Sequence, residues 1–118
     1  MHDIVVYGPK LDKITCFYLS YDCEDDKNER YIRIEASNLY DAGFEVGRRT
    51  ARRIRAYVQT DEMVELLNFV QTPTGAATFA ALKRDNSKSF PDLVEEIKGV
   101  AHGARVSENI VNSFIGNV

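Results

Sequence analysis

The chain has 118 residues, 44% of them hydrophobic, and a formal net charge of −3. That length and apolar content suit a single domain with a buried core and exclude a disordered tail, while the acidic balance gives no overall attraction to nucleic acid or to an anionic membrane surface. The opening MHDIVVYG lacks the basic-then-apolar order of a secretory leader, and no run approaches the length of a membrane span, so a soluble, cytoplasmic protein is expected.

Taken in order, Ile4 to Tyr7 is a short strand-like run closed by Gly8-Pro9, and Ile14 to Tyr21 is a second, so a hairpin or strand pair is expected. Asp22 to Arg30 is a charged break. Its acidic residues Glu24, Asp25 and Asp26 lack the alternating oxygen ligands and central glycine of a calcium loop, so a solvated turn is the expectation, with no metal. Cys16 and Cys23 are the two cysteines, and without a secretory leader free thiols are expected in preference to a disulfide. Tyr31 to Glu35 alternates apolar and polar residues, the pattern of a strand with one wet face.

Ser37 or Asn38 can cap a helix that should run to about Gln59. Gly43, Gly47 and Ala51 fall four residues apart on one stripe of it, and a stripe without side chains lets another backbone approach closely. Glycine in a helix costs roughly 1 kcal/mol relative to alanine, so that approach must return more. The same helix carries Arg48, Arg49, Arg52, Arg53 and Arg55, residues suited to phosphate; the spacing spreads them around the axis, and a solvated or ion-paired face is the plainer expectation. Asp61 is placed as the cap of a helix with Met63, Val64, Leu66, Leu67, Phe69 and Val70 on its apolar side, ended by Pro73 and Gly75. Ala76 to Leu82 reads as a short helix, followed by a polar loop over Lys83 to Lys88.

Ser89 and Pro91 then signal a new helix with Leu93, Val94, Ile97, Val100 and Ala101 on its apolar side, and Gly103 supplies a residue able to take positive φ where it closes. Ser107 and Glu108 open a last helix, with Ile110, Val111, Phe114 and Ile115 on its apolar side. Catalytic signals are weak: His2 stands at the terminus, His102 lies close to Gly103, and neither cysteine is near a histidine in sequence. No paired metal-ligand spacing exists, so no catalytic residue, metal or cofactor is assigned to this chain.

Two segments carry a resemblance. Phe90-Pro91, Glu95-Glu96, the run Ile97-Lys98-Gly99-Val100-Ala101-His102-Gly103-Ala104 and Asn112 resemble a segment of the acyl-CoA:isopenicillin N acyltransferase family, relatives of the β-alanyl-dopamine hydrolases. Upstream, Tyr40-Asp41-Ala42-Gly43-Phe44-Glu45-Val46-Gly47-Arg48 is similar to the family's aromatic-acidic-x-Gly-x-x-x-Gly signature, and the resemblance spans Ala36 to Asn112. It implies an N-terminal nucleophile (Ntn) hydrolase whose precursor cleaves itself before an internal cysteine. Residues 1–118 would then be one part-domain, the α subunit of a heterodimer, completed by a β chain whose N-terminal cysteine is the nucleophile. The implied fold is α+β, part of a four-layer αββα sandwich in which N-terminal strands precede several helices. The implied activity is amide hydrolysis or acyl transfer on a small-molecule substrate, without nucleic acid or membrane. Gly43, Gly47, Gly99 and Gly103 would be structural, and Asn112 and Ser113 would lie nearest the substrate. The competing reading is a small helical binding module that grips a phosphate-bearing partner with Arg48 to Arg55.

Overall fold

The computed structural model describes residues 3–7, 13–20 and 30–117. Three strands, β1 (Asp3–Tyr7), β2 (Ile14–Ser20) and β3 (Arg30–Ala36), form an antiparallel sheet in the order β1-β2-β3. Val5 faces Cys16 across one ladder, and Cys16 faces Ile34 across the next. The period-2 alternation read from the sequence holds in β3: Ile34 is buried and Ile32 half-buried, while Tyr31, Arg33 and Glu35 are exposed. The exposed face carries an Arg33–Glu35 ion pair at 2.7 Å. The Gly8-Pro9 turn and the acidic cluster at Glu24, Asp25 and Asp26 lie outside the described residues, as do His2 and Cys23.

Six helices follow, so the class is α+β. Asn38 caps α1 (Leu39–Arg49), its side-chain oxygen accepting from Asp41 N at 2.8 Å. The helix expected to reach Gln59 breaks at Thr50, where the buried hydroxyl donates back to Val46 O at 2.7 Å and the backbone leaves helical values (φ −109, ψ 17). A Ser or Thr bonded to the carbonyl four residues back disfavours straight continuation. Ala51 therefore opens α2 (Ala51–Tyr57) and does not extend the Gly43–Gly47 stripe.

Thr60, not Asp61, caps α3 (Asp61–Val70), accepting from Met63 N. Pro73 does not end a helix but starts α4 (Pro73–Ser89) at its first turn, with the Thr72 side chain accepting from Gly75 N at 3.1 Å. The loop expected over Lys83 to Lys88 is helical, because Lys83 and Asn86 find partners on the last helix: Lys83 Nζ donates to Asn112 Oδ1 at 2.7 Å and Asn86 Nδ2 to Ile115 O at 2.9 Å. Ser89 is the last residue of α4, and Phe90 occupies the cap position of α5 (Pro91–Gly103). Ser107 precedes α6 (Glu108–Gly116) as the sequence suggested, without a side-chain capping bond.

Two apolar clusters hold these layers. Cys16, Tyr18 and Ile34 from the sheet pack with Ala42 and Val46 of α1. Val94 and Ala101 of α5 pack with Val111 and Ile115 of α6. Between the clusters, α1 and α5 touch through backbone. A Cβ at Gly43 would meet Glu96 O, one at Gly47 Val100 O, one at Gly99 Tyr40 O and one at Gly103 Phe44 O, each well inside 3.0 Å. A step of four residues on one helix matches a step of four on the other, so the two run parallel with reciprocal glycine contacts. Gly103 is needed for this approach and not for positive φ; the left-handed residue past α5 is Arg105, at φ 60.

Candidate functional site

The glycine seam decides which side chains can meet. With α1 and α5 this close, Tyr40 reaches along its neighbour and its hydroxyl lies 2.8 Å from His102 Nδ1, the two rings 5.8 Å apart and edge-on. On its other side the imidazole Nε2 lies 3.1 Å from Glu108 Oε1, in the first turn of α6. A carboxylate at Nε2 holds the neutral ring's proton there, which leaves Nδ1 to accept from the Tyr40 hydroxyl. Tyr40, His102 and Glu108 thus form a continuous chain of hydrogen bonds across three helices. The imidazole is about one-third exposed, at 34%, so solvent reaches it. Such a chain can pass a proton between a bound group and water.

Tyr40 also borders a cleft of about 420 Å³, lined with Ile14, Asn38, Leu39, Asp92 and Glu95. Asp92 and Glu95 come from the first turns of α5, where acidic residues complement the helix dipole. Glu95 also meets Lys98 Nζ at 3.2 Å. The cleft combines apolar walls with carboxylates, an environment that favours a cationic group over an anion.

A second polar contact is closed to solvent. The Tyr18 hydroxyl donates to Glu96 Oε2 at 2.7 Å with both residues buried, tying the sheet to α5. Burial, and then the Glu96 carboxyl beside it, push the Tyr18 phenol far above its ordinary range, so it stays protonated and donates. The backbone oxygen of the same Glu96 packs against Gly43. Glu96 is therefore a joint between sheet and helix pair.

The residues singled out from the sequence are distributed as follows. Gly43, Gly47, Gly99 and Gly103 meet in one seam. Asn112 is half-buried and accepts from Lys83, while Ser113 is fully buried and its hydroxyl donates to Asn109 O at 2.9 Å. Neither lines the cleft at Tyr40. Cys16 is completely buried in the sheet cluster, where no substrate can reach its sulfur. Among the described residues no group of three His, Cys, Asp or Glu is placed to hold a metal ion. Arg48 and Arg49 pair with Glu45, the ion-paired face the sequence suggested; Arg48, Arg49, Arg52 and Arg55 line one shallow groove of about 570 Å³, and Arg53 is not among its lining residues.

Sequence reasoning missed the Tyr40–His102–Glu108 chain. Its parts are 62 and 6 residues apart. The one legible hint was the matched pair of Gly-x-x-x-Gly stripes, since two helices meeting there bring together the residues that flank them. Comparison with protein-family profiles, with curated proteins and with solved structures returns no match to this chain.

Proposed function

We propose that this chain is the α subunit of a self-processed, cytoplasmic Ntn hydrolase that performs amide hydrolysis or acyl transfer with a partner chain bearing an N-terminal cysteine. One observation supports this reading above the others: the two segments that carry the family resemblance, Tyr40 to Arg48 and Phe90 to Asn112, form a single interlocked pair, α1 against α5, on an antiparallel sheet. Residues that matched as separate motifs thus act as one structural unit. In the four-layer αββα sandwich the three strands would be extended by the partner's strands, with α1 and α5 covering one face.

In this reading the partner's cysteine thiol attacks the substrate carbonyl and its free α-amino group takes the proton. This chain supplies walls and orientation. The cleft at Tyr40 faces the amine-bearing half of the substrate with Asp92 and Glu95. Asn112 and Ser113 stand on the helix that leads toward the processed junction, where the bond from Lys83 of α4 to Asn112 holds it in place.

The test is made on the whole precursor. Intact-mass measurement and N-terminal sequencing should find a second chain beginning with cysteine, and alkylating that thiol should abolish amide hydrolysis. Replacing His2, Cys16 and Cys23 together should leave kcat/KM within about tenfold, because losing a true nucleophile costs several orders of magnitude. Complete loss of activity in that variant, with folding and assembly intact, would place the catalytic group in this chain and overturn the assignment.

A further inference from the structure

We propose that the groove along the α1–α2 junction is a binding site for a contiguous phosphate chain, an oligophosphate of the tripolyphosphate type. This assignment is independent of the hydrolase reading. Its basis is the way the arginines are held. Glu45 Oε1 accepts from Arg48 Nη2 at 2.6 Å and from Arg49 Nε at 2.9 Å, and its Oε2 accepts from Arg48 Nε at 3.1 Å. Arg55 Nε donates to Ala104 O at 3.0 Å, at the end of α5. Three guanidinium groups are thus anchored through Nε, with Nη donors left over among the described residues. Arg52, between them, makes no hydrogen bond or ion pair among the described residues.

An anchored guanidinium has already lost most of its rotamer freedom, so a phosphate oxygen gains a forked donor at lower entropic cost than a mobile side chain would allow. Among the described residues Glu45, paired with Arg48 and Arg49, is the carboxylate that meets these four arginines, and no acidic residue lines the groove, so it stays positive in a chain whose total charge is −3. Ala51 and Ala56, which also line it, present only methyl groups and let a ligand lie close to the helix surface. Packing does not explain Arg52 or Arg55, since α2 buries none of its residues.

The shape selects the ligand. The groove is open, and its lining residues run from Arg48 on α1 to Gln59 just past α2, so several phosphates in a row can each meet a different arginine where one could not. Among the described residues no aromatic ring lines it, so the bases of a nucleic acid would find no stacking platform there, and the acidic remainder of the chain would repel a long polyanion.

Calorimetric titration of the full-length protein with sodium tripolyphosphate in low-salt buffer tests the assignment. Expected are one site per chain, affinity that falls as salt rises, and orthophosphate binding weaker by about tenfold or more. Arg52→Ala should weaken tripolyphosphate about tenfold without moving the thermal midpoint. Arg52→Lys, which keeps the charge but loses the fork, should fall between the two. Arg84→Ala, outside the groove, should bind as the parent does. Unchanged binding in Arg52→Ala would overturn the site. Equal affinity for orthophosphate would reduce it to an adventitious ion only, and tighter binding of a single-stranded oligonucleotide would overturn the ligand class.

Discussion

The α1–α5 seam and the α3–α4 arm solve the same packing problem to different degrees: four glycines press on backbone carbonyls along the seam, whereas in the arm Gly75 alone does so, against Phe69 O, and side chains supply the rest. In the seam, backbone meets backbone: α1 buries Ala42, Gly43, Val46 and Gly47, and α5 buries Val94, Glu96, Gly99, Ala101 and Gly103. In the arm, α3 buries only Met63 and α4 only Gly75 and Phe79, while Val64, Phe69 and Leu82 keep much of their surface exposed. Contact through glycine is all or none, because a carbonyl oxygen cannot move aside without shifting its helix. Contact through side chains is graded, because a ring or thioether can choose another rotamer.

The largest expected effect tests this contrast directly. Gly47→Ala places a Cβ against Val100 O and must push the helices apart, so urea denaturation should show a loss of about 3 kcal/mol or more, despite alanine's better helix propensity. Gly47→Leu should prevent folding or assembly. Gly116→Ala meets the ring of Phe79, 2.5 Å from Cδ1, and should cost less, about 1–2 kcal/mol, because a ring can turn where a carbonyl oxygen cannot. Equal losses at Gly47 and Gly116 would break the comparison.

Next in size is the joint between sheet and seam. Tyr18→Phe removes one of Glu96's partners in a buried site and should cost about 1–3 kcal/mol. Because the phenol's folded value lies above its ordinary 10.0, the stability it contributes is fully present below pH 10.0 and declines as pH rises beyond it. Tyr18→Phe should remove that alkaline decline, as read by melting temperature between pH 9 and 11. The arm should respond more locally. Met63→Ala, its deepest α3 side chain, should cost about 2 kcal/mol, whereas Val64→Ala should stay within about 0.5 kcal/mol by the same denaturation assay.

The smallest effect belongs to the surface of α1. Hydrogen bonds from Arg48 and then Arg49 hold the Glu45 carboxyl at about 2, below its ordinary 4.5. The stability it contributes is present above pH 4.5 and is lost as pH falls through about 2. Glu45→Gln should flatten that acid limb of the melting curve only slightly, since a largely exposed pair is screened by water.

Local chemistry was enough to read much of this chain from its sequence. Strand alternation, the Asn38 cap, the start of α6 and the Gly43–Gly47 stripe each depend on a few neighbouring residues, and each is present in the fold. The boundaries that failed were decided elsewhere. Lys83 to Lys88 looks like a polar loop until Lys83 and Asn86 meet α6, 29 residues away, and Thr50 looks helical until its hydroxyl turns back inside the core. Gly103 does end α5, as its helix-stop signal suggested, but without the positive φ expected of it, and it is pressed against the Phe44 carbonyl on another helix. The candidate site belongs wholly to this second class. The sequence by itself determined which residues could form helices, strands and a side-chain-free stripe, because those choices are made within a few residues. Only the tertiary structure decided that Tyr40, His102 and Glu108 should form one chain of hydrogen bonds and that four arginines should share one groove, because both depend on the direction in which packed helices point their side chains.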